Sequence, residues 1–201
     1  MSELALRAEK LSEVKYETVL AYSDSYCAVS RCYSIIKRIF DIVGSLGLGF
    51  VLLLPMAVIA LLIRISSQGP VLFRQERLGL CGKSFTILKF RSMYVNAEAN
   101  GPQWAREDDE RCTPIGRLLR KTRLDELPQL WNILRGEMSF VGPRPERPFF
   151  YDLFEKTIPK FRVRLQVKPG LTGLAQVNGG YDLGPEEKLK YDLNYIENQS
   201  V

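Results

Sequence analysis

From Ile42 to Ile63 the chain carries no charged side chain, and Asp41 and Arg64 close the run at its two ends. About 20 apolar residues suffice for a helix to cross a bilayer, whereas a core helix of that length in a water-soluble domain keeps a polar stripe. The run is therefore expected to enter a membrane, with a fully buried core helix as the bland alternative. Arg31, Lys37 and Arg38 precede it; Arg64, Arg74, Arg77, Lys83, Lys89 and Arg91 follow it. Cations gather on the cytoplasmic side of a membrane segment, so both ends read as cytoplasmic. Pro55, near the middle, removes a helix hydrogen bond and favours a kink. Together these features predict a re-entrant membrane helix over 34–66, bent at Leu54-Pro55, in preference to a straight crossing. Residues 1–33 then form an N-terminal extension, in which Leu4 to Leu20 suits a surface helix, and 67–201 a cytoplasmic and interfacial domain. Met1 to Lys15 is charged and lacks the apolar centre of a cleaved signal.

The charge balance is basic, Lys+Arg 28 against Asp+Glu 23, which suits anionic partners such as lipid headgroups and phosphorylated molecules. There is no His, so proton transfer and nucleophilic attack fall to carboxylates, Lys, Tyr, Ser or Cys. Cys27, Cys32, Cys81 and Cys112 form no CxxC pair and read as reduced thiols rather than a zinc site.

Beyond the apolar run, Val71 to Arg74 and Ser84 to Phe90, with Gly79 and Gly82 between them, read as a β-hairpin. Asn96 to Arg111 is polar and reads as a surface loop. Thr113-Pro114 is a helix start; Ile115, Leu118 and Leu119 fall on one side of that helix, and Arg117, Arg120 and Lys121 on the other. Such a helix suits a membrane surface or a domain core. A further helix is expected from Pro128 to a cap at Gly136. Phe149, Phe150, Leu153, Phe154, Ile158 and Phe161 recur at helical spacing, with a break expected at Pro159, and Glu186 to Asn198 reads as a last helix. Val167 to Gly180, rich in Gly, reads as a functional loop. The predicted class is α+β and mostly helical: a re-entrant membrane helix, interfacial amphipathic helices and a small cytoplasmic domain with a β-hairpin.

The densest chemistry lies in Arg120-Lys-Thr-Arg-Leu-Asp-Glu-Leu-Pro-Gln129. Asp125 and Glu126 precede Pro128, near the positive end of the helix expected there, where anions are held. Asp125 as a simple helix cap is the competing reading. Arg120, Arg123, Lys89, Arg91 and Arg144 supply cations for phosphate, the last between Pro143 and Pro145, where its planar fork is preset. A carboxylate can attack phosphorus to form an acyl phosphate, dividing one transfer into two easier ones. Two carboxylates would repel a diphosphate, so Mg²⁺ is expected beside them.

Six blocks occur in order: Lys37-Arg38-Ile39-Phe40-Asp41; Leu54-Pro55; Lys89-Phe90-Arg91-Ser92-Met93; Leu124-Asp125-Glu126-Leu127-Pro128-Gln129; Met138-Ser139-Phe140-Val141-Gly142-Pro143-Arg144-Pro145; and Pro169-Gly170-Leu171-Thr172-Gly173-Leu174-Ala175-Gln176-Val177-Asn178-Gly179. The chain resembles the bacterial sugar transferases, the monotopic phosphoglycosyl transferases, over roughly residues 34–198. The resemblance implies transfer of a sugar-1-phosphate from a UDP-sugar to undecaprenyl phosphate at the bacterial inner membrane, with release of UMP, at the start of polysaccharide or glycoconjugate assembly. It implies Asp125 as nucleophile and Mg²⁺ ligand, and Glu126 as an aid to proton removal or positioning. By the same match Lys89, Arg120 and Arg144 bind phosphate, and Pro169, Gly170, Thr172, Gly173, Gln176 and Asn178 serve the nucleotide or sugar. Pro55 matches the family's helix break. Residues 1–33 lie outside the resemblance and are too short for the multi-helix extension of larger members; members usually continue past the position of Val201 through an amphipathic helix.

A membrane-anchored scaffold or lipid-binding protein is the second reading, since it explains anchor and charge. It leaves the paired carboxylates and their separated cations without a task. A nucleic-acid binder is suggested only by the basic balance; no recognisable motif supports it, and the charge-free run argues against it. Nothing in the sequence sets an oligomeric state.

Overall fold

The computed structural model describes residues 31–99, 101, 109–179 and 183–198. The surface helix expected over Leu4 to Leu20 lies outside them. Two helices open the described chain, α1 (Arg31–Val51) and α2 (Leu53–Ser66), set at 63° to one another. The break is at Leu52 (φ −91°, ψ 4°), less than a turn before the Leu54-Pro55 position expected from sequence. Pro55 has no N–H for the Val51 carbonyl and its ring crowds that carbonyl, so the ladder fails upstream of the proline. It resumes with the Met56 N–H donating to Leu52 at 2.8 Å. Among the described residues no single helix is long and apolar enough to cross a membrane; the bent pair together passes that test. Phe50, Val51, Leu53 and Leu54 around the bend are all strongly exposed.

Strands β1 (Leu72–Leu78) and β2 (Ser84–Phe90) pair antiparallel as the expected hairpin, Leu72 opposite Phe90 and Leu78 opposite Ser84. Helix α3 (Pro114–Thr122) starts on the expected cap, with Thr113 Oγ1 accepting from the Gly116 N–H at 2.9 Å. Its faces differ from expectation: Leu118 is exposed, while Arg120 is buried beside Leu119. Only the Ile115–Leu119 edge meets the core, against Ile59, Ile63 and Phe90, and Arg120 turns inward to donate to Cys112 Sγ at 3.1 Å. The segment 96–111 is not all surface either, because Asp109 is buried and holds Arg111; residues 100 and 102–108 of it lie outside the description. Cys81 and Cys112 are free thiols.

Helix α4 (Gln129–Arg135) ends at Gly136, whose φ of +84° is the left-handed cap expected there. Strand β3 (Ser139–Val141) follows, then α5 (Pro148–Phe154), which stops short of Pro159. Phe150, Ile158 and Phe161 of the aromatic stripe are buried, whereas Phe149 and Leu153 are exposed. The expected loop over Val167 to Gly180 is instead ordered as strand β4 (Gly170–Thr172), parallel to β3, and helix α6 (Leu174–Gly179). Its glycines allow main chains to touch: a Cβ on Gly170 would lie 2.2 Å from the Gly142 nitrogen. Helix α7 (Pro185–Glu197) closes the described chain.

Helix α1 is fastened to this domain by its polar face. Arg38 donates to the Ile133 and Leu134 carbonyls, both at 2.7 Å, which satisfies the open end of α4 with a cation. Asp41, buried, accepts from Ser139 Oγ and the Phe140 N–H, both at 3.0 Å. Lys37 reaches the Val141 carbonyl and the Tyr195 hydroxyl. The bent apolar pair is thus held rigidly to β3, α4 and α7.

Gly116 is where α3 docks on the chain leaving β2, and a Cβ there would lie 1.8 Å from the Ser92 carbonyl oxygen. Gly→Ala inside a helix ordinarily gains about 1 kcal/mol. Gly116→Ala is expected to reverse that sign and destabilise by about 1–3 kcal/mol, read as a lowered midpoint in thermal unfolding. A raised midpoint would refute this docking.

Candidate active site

The paired carboxylates sit on a short 3-10 turn, Leu124–Glu126, entered through Arg123 in the left-handed conformation (φ 59°, ψ 11°). The following helix is capped at Pro128 without any side-chain bond, so Asp125 is not its cap. The reversal at Arg123 instead aims both carboxylates back toward the hairpin, and both are buried.

Their environments differ sharply. Glu126 Oε1 accepts from Lys89 Nζ at 3.0 Å and Arg144 Nη2 at 2.5 Å, and Oε2 from Arg144 Nη1 at 3.2 Å. This is a two-pronged Arg–carboxylate pair with a lysine added to it. Burial alone would push the Glu126 carboxyl up, but the charges and hydrogen bonds of Arg144 and Lys89 overrule it and hold it well below the usual carboxylate range. Asp125 Oδ1, by contrast, is buried without any hydrogen-bond partner. Burial raises its pKa, with Lys89 opposing and Glu126 adding to the rise.

Asp125 lies in the wall of a cavity of about 960 Å³. Lys89 and Phe90 enter it from the end of β2, Arg120 from α3, Arg144 from the turn after β3, Gln176 from α6 and Lys188 from α7. Cations outnumber carboxylates in the lining, so the cavity suits a multiply charged anion. The Gln176 amide, both Oε1 and Nε2, is buried without a partner. Polar atoms left so cost about 1–3 kcal/mol each. Among the described residues no group of three or more carboxylates and thiols is placed to hold a metal ion. A single Asp125 carboxylate in the cavity wall nevertheless suits magnesium, which needs only one or two carboxylates when phosphate and water complete its shell.

Of the residues singled out from sequence, Lys89, Arg120, Asp125, Arg144 and Gln176 line this one cavity, with Glu126 bonded to two of them. Pro169, Gly170, Thr172 and Gly173 are not in its lining. Gly170 and Gly173 pack against the Gly142 backbone, and the Asn178 amide donates to the Leu174 carbonyl. Pro55 belongs to the bend of the apolar pair. Sequence reasoning missed Arg77, Glu146 and Lys188 in the lining, and the buried Arg164–Asp192 pair beneath it. The Lys188 to Asp192 spacing of one helical turn was the available signal, since it puts a cation and a carboxylate on one face of α7.

The family model described as bacterial sugar transferase matches residues 32–201. An Aeromonas hydrophila protein named UDP-N-acetylgalactosamine-undecaprenyl-phosphate N-acetylgalactosaminephosphotransferase is 43% identical over 176 residues, covering 86% of this chain and 41% of the relative. A Bacillus subtilis (strain 168) relative is 44% identical over 163 residues, covering 80% of this chain and 90% of its own length. The Escherichia coli (strain K12) UDP-glucose:undecaprenyl-phosphate glucose-1-phosphate transferase is 40% identical over 200 residues, covering 97% of this chain and 42% of the relative. The chain therefore spans under half the length of the first and third.

Burial pulls the Lys89 ammonium down to about 8, with Arg144 adding to the pull and Glu126 opposing it. Protonated Lys89 attracts an anion and neutral Lys89 does not. Affinity for pyrophosphate is expected to hold up to neutral pH and to fall as the pH rises through about 8. Lys89→Arg, charged throughout, should move the fall to higher pH. Calorimetric titration across that range checks it, and a flat profile for wild type would exclude Lys89 from the anion site.

Proposed function

This chain belongs to the bacterial sugar transferase family, and we propose on that premise that it moves a sugar-1-phosphate from a UDP-sugar to undecaprenyl phosphate, releasing UMP. The observation that carries the reading is the division of labour between adjacent carboxylates: Glu126 is saturated by Lys89 and Arg144, while Asp125, one of whose oxygens is buried without a partner, lines a cationic cavity.

In the first step an Asp125 oxygen attacks the sugar-bearing phosphorus. The bond from that phosphorus to the oxygen bridging the two phosphates breaks, and UMP leaves with the electron pair. Asp125 then carries the sugar phosphate as an acyl phosphate. In the second step an oxygen of the lipid phosphate attacks the same phosphorus, the bond to Asp125 breaks, and the carboxylate is regenerated with a lipid diphosphate sugar as product. Lys89, Arg120 and Arg144 hold and neutralise phosphate oxygens as charge moves onto the leaving group. Glu126, held ionised, is a weak base; its work is to set the positions of Lys89 and Arg144. Mg²⁺ beside Asp125 would add further neutralisation of the diphosphate. The Gln176 amide serves the nucleotide sugar.

The bent pair α1–α2, apolar and exposed at its tip, enters the inner membrane from the cytoplasmic face and returns to it. That places the cavity at the level of lipid headgroups, where a polyprenyl phosphate presents its charge. A scaffold would bind the same surface, but it has no use for a bare buried carboxylate, which costs stability unless the cavity is filled.

The test is UMP release from a panel of UDP-sugars in detergent with Mg²⁺ and undecaprenyl phosphate. Wild type is expected to release UMP from one or two sugars, and Asp125→Asn from none. UMP release by the mutant at the wild-type rate would rule out Asp125 as nucleophile and point to direct attack by the lipid phosphate.

A further inference from the structure

We infer that Arg164, anchored by Asp192 of α7, is a positioning residue that fixes Arg144 from beneath the cavity. The inference rests on the role given above to Arg144 and names what holds that residue in place.

Arg164 Nε donates to Asp192 Oδ2 at 2.6 Å, and both side chains are only 1% exposed. The other prong, Nη2, donates at 2.9 Å to the main-chain carbonyl of Arg144. The guanidinium carbon lies 4.9 Å from the centroid of the Phe161 ring, so the fork is held by an aromatic face as well as by both its acceptors. Taking a charged pair this far from water is costly, and an apolar pair of similar volume often serves stability as well or better. What an apolar pair cannot supply is a donor to the Arg144 carbonyl.

That carbonyl is a sensitive place to pull. Pro143 and Pro145 stiffen the turn on either side of Arg144. The Pro143 carbonyl accepts from the Gly170 N–H at 2.9 Å, and the Pro145 carbonyl accepts from Arg77 at 3.0 Å. Arg164 supplies the bond at the central residue, whose side chain grips Glu126. One helical turn before Asp192, Lys188 lines the same cavity, so α7 contributes a cation to the site and, through Arg164, the seat of another. Tyr195 on the same helix donates to Val141 and receives Lys37 of α1. Helix α7 thus braces Arg144 against the bent pair.

Loss of the Arg164 bond should let Arg144 drift, and a misplacement of about 1 Å can cost about 10²-fold in rate. UMP release and UDP affinity are measured on the full chain in detergent for wild type, Arg164→Lys, and the paired replacement Arg164→Met with Asp192→Leu, each also combined with Arg144→Ala. Lysine retains the charge but reaches only one of the two acceptors; the apolar pair restores packing without a donor. Both are expected to lower kcat/KM by about 10²-fold when Arg144 is present. Neither should lower it further when Arg144 is already alanine, because both act through that side chain. A loss of the same factor in both backgrounds would show a merely structural role and overturn the inference. So would wild-type kcat/KM in either folded variant. Wild type that neither binds UDP nor releases UMP would instead sink the proposed function.

Discussion

Everything at the centre of this molecule depends on one carboxylate, Glu126, gathering two cations that would otherwise repel each other. Lys89 arrives from the hairpin and Arg144 from the turn after β3, elements far apart in the chain. Removing one partner from a buried, charged set of this kind costs about 3–5 kcal/mol, because the remaining charges stay buried without compensation. The set therefore locks the hairpin, the 3-10 turn and the Gly142 turn into one geometry. It also leaves the neighbouring Asp125 with an oxygen that no protein group satisfies.

The same geometry is tied outward to the bent helices. Asp41 binds the first residues of β3, Arg38 closes α4, and Lys37 meets both Val141 and Tyr195. The close approach of Gly142 and Gly170 sets the parallel pairing of β3 with β4 and thereby the exit direction of the arginine turn. In the proposed setting these ties hold the cavity at a fixed height relative to the membrane surface. A lipid phosphate can then be met by a rigid site, without the chain having to reorganise.

Much of this was legible from the residues alone, and the reasons are local. Thr113-Pro114 and Gly136 announced helix ends through cap chemistry, and Gly79 and Gly82 announced the turn of the hairpin, because such signals act within a few residues. The bend shifted to Leu52 because a proline disturbs the carbonyl four residues before it. The region of Pro169 to Gly179 misled for another reason: glycines needed for contact between main chains look, in sequence, like glycines needed for a mobile loop. Arg120 went to the wrong face because its guanidinium turns inward to Cys112 Sγ rather than out to solvent, which the apolar pattern of α3 does not reveal. Arg164 carried no local mark, and Asp192 only its one-turn spacing from Lys188, since the meeting of the two is set by how α7 packs on the turn at Phe161–Gln166. Among the cavity residues, those named from sequence share motifs, and those missed are supplied by packing.

The central claim is that adjacent carboxylates are committed to different tasks, Asp125 to bond formation and Glu126 to holding cations. The most direct measurement is peptide mapping by mass spectrometry of protein mixed with a reactive UDP-sugar in the absence of lipid phosphate and quenched in acid. The account predicts a sugar phosphate adduct on Asp125, absent from Glu126, formed in step with UMP. An adduct on Glu126, or UMP formed under those conditions with no adduct on either carboxylate, would contradict it.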